Sequence, residues 1–271
     1  MKTNDSSMIN ALKADFYKIS KLKSVYIALG IMFLLTILNY IVYWITLTLD
    51  MPIQQSGKSV LFTFSSSADI EFLVAIICGI FIGKEFSNGT MRAQIARGGD
   101  RVKLYFSKWI TFMSLIVAYA MIMLVVSGIL TAIKGYGMPF NGKEFGYLMR
   151  SVVFQLLALM SSTSIFIMLA FLCRSAGSAI GTSIGFYILV SVIVAIVQVV
   201  VTINADENAI MNSVTQIDNA TWYLPLQQLL GACYAGEYTT ENILQLIFMP
   251  IAYTAVSTFI GCYTFVKRDV K

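Results

Sequence analysis

Long charge-free apolar stretches alternate with short polar connections along this chain, and their spacing predicts a bundle of membrane-crossing helices. Five stretches are long enough by themselves: 24–49, 109–133, 151–173, 175–205 and 242–266. An apolar helix needs about 20 residues to cross a hydrocarbon core of roughly 30 Å. A sixth stretch, 72–83, is too short alone. Ser65, Ser66 and Ser67 offer it an N-cap, and Asp69 and Glu71 then fall in the first turns, where the helix dipole favours carboxylates. The predicted spans are 24–49, 67–84, 105–133, 151–173, 175–205 and 242–266. The expected fold is all-α, a polytopic membrane protein with six transmembrane helices in one domain covering 1–271.

Two segments outside the spans carry apolar pattern of their own. In the leader, 1–23, Met8, Ile9, Leu12, Phe16 and Ile19 recur at helical spacing while Lys13, Lys18, Lys21 and Lys23 lie largely on other faces. That pattern fits an interfacial helix, neither a cleavable signal nor a second domain. The alternative is a basic juxtamembrane leader without fixed structure. The segment 206–241 is acidic, yet its middle, from Trp222 to Gly231, is rich in apolar and aromatic residues around Pro225. A short helical hairpin re-entering the outer leaflet and a plain external loop both accommodate it.

Composition agrees with the membrane reading and adds orientation. Apolar residues make up 58% of the chain and charged ones 12%, with a mean hydropathy of +0.76; a soluble domain carries roughly 25% charge. The 19 Lys and Arg exceed the 14 Asp and Glu by only +5, a balance that implies no nucleic-acid partner. Their distribution is lopsided: with the leader inside, 15 of the 19 fall on the cytoplasmic side. Cytoplasmic loops retain positive charge, so both termini are expected in the cytoplasm.

The loop 84–104 is the most distinctive connection. An apolar helix runs straight into Lys84, Glu85, Phe86, Ser87, Asn88, Gly89, Thr90, Met91 and Arg92, followed by Arg97, Arg101 and Lys103. This basic, glycine-punctuated hairpin is suited to being gripped from the cytoplasm. Asn88-Gly89-Thr90 matches a glycosylation sequon, but on that side Asn-Gly makes a turn instead.

Other candidate chemistry is sparse. The chain has no histidine, and Cys78, Cys173, Cys233 and Cys262 are dispersed, so neither a metal centre, a His-based catalytic site nor a disulfide is expected. Gly57-Lys58-Ser59 repeats the end of a phosphate-binding loop, but Pro52 stands where the first glycine belongs and the segment is assigned to the outside. Gly177, Gly181 and Gly185 form two consecutive small-residue repeats that suit a close helix or subunit contact, and Gly79 and Gly83 form another with no preference between packing and chance. Thr36, Asn39, Gln155, Ser161, Ser164 and Gln198 are uncharged polar residues inside spans. They are candidates for lining a cargo pathway, and equally for hydrogen-bonding neighbouring helices. No carboxylate or base is expected mid-membrane, which suits an amphipathic cargo better than an inorganic ion.

The span layout, the leader run from Leu12 to Lys18, the run Glu85-Phe86-Ser87-Asn88-Gly89-Thr90-Met91-Arg92 and the long segment before the last span resemble bacterial ABC type-2 transporter permeases. The resemblance covers nearly the whole chain, and its most specific part is Glu-Phe-x-x-Gly-Thr-x-Arg. It implies a permease of the bacterial plasma membrane that pairs with a second permease subunit. It further implies that cytosolic ABC ATPase subunits, which bind ATP-Mg, dock against the loop after the second span. No cofactor is then expected in this chain. Under that resemblance Lys84, Glu85, Phe86, Asn88, Gly89, Thr90, Met91, Arg92, Arg97 and Arg101 are the coupling residues, with Phe86 and Met91 plugging a groove on the ATPase. The 222–231 stretch would match the family's outer re-entrant helices, and family members of this size commonly export antimicrobial peptides, toxins or drugs.

Two rival classes stand beside this reading. A membrane enzyme needs a convergent set of polar catalytic groups, and Glu85 with Arg92 is the close acid-base pair near a span. A structural or sensory subunit on the same scaffold would bind an ATPase but move no cargo.

Overall fold

A computed structural model describes residues 4–48, 68–133, 142–173, 175–204 and 240–267. Eight helices account for nearly all of them: α1 (Asn4–Lys21), α2 (Lys23–Thr48), α3 (Ala68–Ser87), α4 (Thr90–Ala96), α5 (Arg101–Ile133), α6 (Gly142–Cys173), α7 (Ala176–Asn204) and α8 (Thr240–Lys267). No strand occurs among the described residues, as expected of backbone that must satisfy its own hydrogen bonds in lipid. The serines proposed to cap α3, the Gly57-Lys58-Ser59 run, Cys233 and the 222–231 stretch lie outside the described residues.

Within the described residues, α5, α6, α7 and α8 each contain a helix long and apolar enough to cross a membrane. The leader and the following helix form a pair bent by 59° at Leu22. Tyr26 Oη closes that corner by donating to the Ser20 carbonyl at 2.8 Å. Helix α3 has span length, but Asp69, Glu71, Lys84 and Glu85 load its ends with charge. Several helices overrun the predicted spans: α5 begins at Arg101 and α6 at Gly142, so their first turns carry charges beyond the apolar stretch. A helix stops where its backbone finds other partners, not where its hydropathy falls.

Helix α6 is the centre of the bundle. Of its span, 61% is buried, against 17% for α7 and for α8. It pairs extensively with α8 and also packs on α3, while α3 runs antiparallel along α7. The α3–α7 contact is backbone to backbone. A Cβ on Gly79 would meet Ile180 Cγ1 at 2.8 Å, and one on Gly83 would run into the backbone of Ser175 and Ala176. The small-residue pair that brings helices together is therefore Gly79 and Gly83. Among the described residues nothing lies within 4 Å of a Cβ on Gly177, Gly181 or Gly185, so no described helix packs closely on that repeat.

Polar residues of the spans face inward. Thr36 Oγ1 donates to the Met32 carbonyl at 2.9 Å, and Ser161 Oγ to the Ala158 carbonyl at 2.7 Å. Ser164 Oγ lies 2.9 Å from Thr258 Oγ1 and accepts from Trp109 Nε1 at 3.3 Å and from Ser257 Oγ at 2.8 Å. Thr36, Ser161, Ser164 and Gln155 are all buried. These four are buried within one subunit, and the hydroxyls of Thr36, Ser161 and Ser164 each find a carbonyl or another hydroxyl, which fits the alternative of hydrogen bonding within the bundle. The side chains of Asn39 and Gln198 lie outside the described residues, although their backbone belongs to α2 and α7.

Glu71 lies in the first turn of α3, as its position predicts, and is nevertheless buried. Its Oε1 accepts a hydrogen bond from Ser162 Oγ of α6, while its Oε2 has no hydrogen-bond partner among the described residues. Among the described residues Cys78, Cys173 and Cys262 are free thiols.

Candidate functional site

The hairpin between α3 and α5 is built by two glycines. After Ser87 the chain turns at Gly89, whose φ of 69° is left-handed and natural only to a residue without a Cβ. Its carbonyl accepts from Ala93 N at 3.0 Å and starts the seven-residue α4. Thr90 Oγ1 reaches back to the Glu85 carbonyl at 3.1 Å. Gly98, at φ 86°, ends α4, and Gly99 N donates to the Gln94 carbonyl at 3.1 Å, a left-handed helix stop. Asp100 then caps α5 by accepting from Val102 N at 3.0 Å.

Side chains of the hairpin divide into two sets. Lys84, Asn88, Thr90, Arg92 and Arg97 are exposed, Gly89 and Arg101 are half-buried, and Glu85, Phe86 and Met91 are buried. Phe86 joins an aromatic cluster with Phe171 (centroids 5.9 Å apart) and Phe265 (6.1 Å), and Phe171 also meets Tyr105 at 4.8 Å. These four rings come from α3, α5, α6 and α8 and tie the hairpin end of the bundle together. Phe86 and Met91 are thus occupied in the chain's own core and do not present a plug for a partner groove. Their burial leaves Arg92 and Arg97 as the exposed charges of α4 and its end.

Beneath the hairpin lies a charged junction that links three helices. Lys108 of α5 is fully buried, and its Nζ pairs with Asp15 Oδ1 of α1 and lies 2.8 Å from Glu85 Oε2 of α3. Asp15 also accepts from Ser107 Oγ at 2.6 Å. Glu85 in turn accepts from Lys18 Nζ of α1 at 2.8 Å. Two carboxylates face two ammonium groups, so the cluster is neutral as a whole. Lys108 Nζ also sits 5.0 Å from the Phe81 ring centroid, in reach of its π-face. Isolated charges of this burial would be prohibitively costly, and mutual pairing is what admits them.

This junction decides where the leader goes. Asp15 is 1% exposed although it sits among Lys13, Lys18 and Lys21 on an amphipathic helix. Sequence spacing hides these pairs, because the residues that neutralise one another are 93 positions apart for Asp15 and Lys108 and 67 for Lys18 and Glu85. One signal was available: Asp15 is the acid within the basic, apolar-patterned turns of α1, and Lys108 directly precedes a charge-free run. Nothing in the junction resembles an active site. Among the described residues no group of His, Cys, Asp and Glu could hold a metal ion.

The family model for ABC-2 family transporter proteins matches residues 9–270, which includes α1, the hairpin and α5 through α8. No protein of curated function matches the chain. A multi-pass helical architecture, and a match that extends over almost the entire length, lead to one assignment: this chain is a membrane protein that belongs to the ABC-2 transporter family.

Proposed function

We propose that the chain is the six-span permease subunit of an ATP-driven exporter, carrying an amphipathic or lipophilic cargo such as an antimicrobial peptide, toxin or drug outward. ATP-Mg is bound and hydrolysed by separate cytosolic ABC ATPase subunits, and both termini and the hairpin 84–104 face the cytoplasm of a bacterial cell. A second permease subunit, of the same or a different chain, completes the pore. The glycine face of α7, with no described helix of this chain close against it, supports such a contact.

The observation that carries the reading is the buried Lys108, bridging Asp15 of the leader and Glu85 at the root of the hairpin. A coupling element must be stiff, because a force applied to a loose loop is lost in loop motion. Here α3 continues past the apolar span to Ser87, α4 turns back, and the ion-paired junction and aromatic cluster fasten both arms to α1, α6 and α8. A motor protein pressing on Arg92 and Arg97 would move the leader and two spans as one body. The direct contacts to that motor come from exposed charges, so they steer and orient it, and affinity concentrates at whatever apolar contact they enclose.

The test is capture of a candidate ABC ATPase by the purified permease, followed by ATPase assays in liposomes. Arg92→Glu with Arg97→Glu should abolish capture and cargo-stimulated hydrolysis while membrane insertion and melting stay at parental values. Normal capture and stimulation by that variant would remove the hairpin from coupling. An ATPase that binds the parent but never responds to cargo would favour a sensory subunit.

A further inference from the structure

On the surface between α5, α6 and α8 lies an apolar groove of about 650 Å³. Phe106 and Trp109 form one wall, Met160 the floor, and Ile251, Ala255 and Phe259 the other wall. None of its lining residues comes from α4 or from the glycine-bearing helix α7. Phe259 is 71% and Ile251 51% exposed, so large apolar side chains stand open along it.

Its length and depth match one lipid leaflet. Along α8 the lining runs from Cys262, five residues before Lys267, to Pro250, 17 residues before it. At 1.5 Å per residue that is from about 8 to about 25 Å above the hairpin end, roughly half of a bilayer core with its interface. The polar atoms in the walls are already used. Thr254 Oγ1 donates to the Pro250 carbonyl at 2.8 Å, and Thr258 Oγ1 and Trp109 Nε1 both engage Ser164 Oγ. Hydrocarbon is what such a surface accepts.

Charge selects the kind of hydrocarbon. At the hairpin end of the groove Arg101 donates to the Val266 carbonyl at 2.9 Å, pinning the start of α5 to the end of α8, and exposed Lys267 stands beside it. Lys267 Nζ donates to Tyr263 Oη at 2.7 Å, and the exposed Asp100, although it accepts from the Val102 N–H, keeps its charge, so this rim carries two cations against one carboxylate. A positive rim above a leaflet-deep apolar slot is complementary to an anionic headgroup with its chain below. We propose that this groove binds an acyl chain of an anionic phospholipid from the leaflet on the hairpin side, with the phosphate at Arg101 and Lys267. This inference rests on the chain lying in a bilayer and not on the exporter reading, so transport can fail while it stands.

Trp109 lines the groove and becomes its own reporter once the other tryptophans of the chain, Trp44 and Trp222, are replaced. The full-length chain carrying Trp44→Phe and Trp222→Phe is reconstituted in vesicles containing brominated phosphatidylglycerol or brominated phosphatidylcholine, whose bromines quench a touching indole. Half-quenching should require about fivefold less of the anionic lipid, the worth of one basic group near an anionic surface. Lys267→Gln should erase that preference without abolishing quenching, and Ala255→Phe, which fills the slot, should remove most quenching by either lipid. Equal quenching by both lipids in the parent would overturn the headgroup assignment. Absence of quenching by either would mean protein covers the groove, a second copy or a cargo, and would overturn the proposal altogether. Retention of phosphatidylglycerol by the unmodified chain in native mass spectrometry gives an independent reading that needs no variant.

Discussion

Lys108→Met is the sharpest perturbation of the charged junction, because methionine keeps most of the stem volume and removes the ammonium. It leaves Asp15, 1% exposed, and Glu85, 6% exposed, with Lys18 as the cation remaining in the cluster. Breaking a buried ion pair by deleting one member costs about 3–5 kcal/mol, since the partner is left charged and desolvated. Asp15→Asn is milder, at about 1–3 kcal/mol, because Lys108 retains Glu85 and the Ser107 hydroxyl retains an acceptor. Combining the two should be less than additive by about 0.5–3 kcal/mol, the signature of groups that act on one another. In detergent, melting followed by size-exclusion should fall by about 6–20 °C for Lys108→Met, at roughly 2–4 °C per kcal/mol for a chain of this size class. Protease should also cut the leader helix sooner, as α1 loses its tie to α5. A Lys108→Met protein that melts within about 2 °C of the parent, with its leader still protected, would refute the claim that the junction holds the hairpin end together.

The two glycine repeats should respond oppositely to bulk. Gly83→Leu meets the backbone of Ser175 and Ala176, so α3 and α7 must separate, and expression of folded protein should drop sharply in a fluorescence-detected chromatography screen. Gly181→Leu has open space and should fold as the parent does, with any loss confined to association measured by mass photometry. Equal damage from both would contradict the packing described. Phe171→Ala removes the ring at which Phe86, Tyr105 and Phe265 meet, and should cost about 3–5 kcal/mol with the melting point falling accordingly.

Much of the helix layout was legible in the chain because hydrocarbon imposes a length and a polarity on anything that crosses it. The apolar stretches beginning near Trp109, Ser151, Ser175 and Asn242 became α5, α6, α7 and α8 with ends displaced by a few residues, and the amphipathic leader became α1. The turn at Asn88-Gly89 was legible too, since local backbone sterics determine it. The site was legible as a segment but not as a surface. Which of Glu85, Phe86, Met91 and Arg92 faced out depended on what α1, α6 and α8 brought against them.

By itself, then, the order of residues determined that this is a helical membrane protein and that a glycine-hinged basic hairpin joins two of its helices; each of these follows from interactions over a few turns of one helix with water or lipid. Only the tertiary structure decided that Asp15, Lys108 and Glu85 neutralise one another, that Gly79 and Gly83 carry a helix contact while Gly177, Gly181 and Gly185 meet none of the described helices, and that Glu71 is buried against Ser162. Those outcomes depend on pairings between residues tens of positions apart, whose energies exist only once the helices that hold them have met.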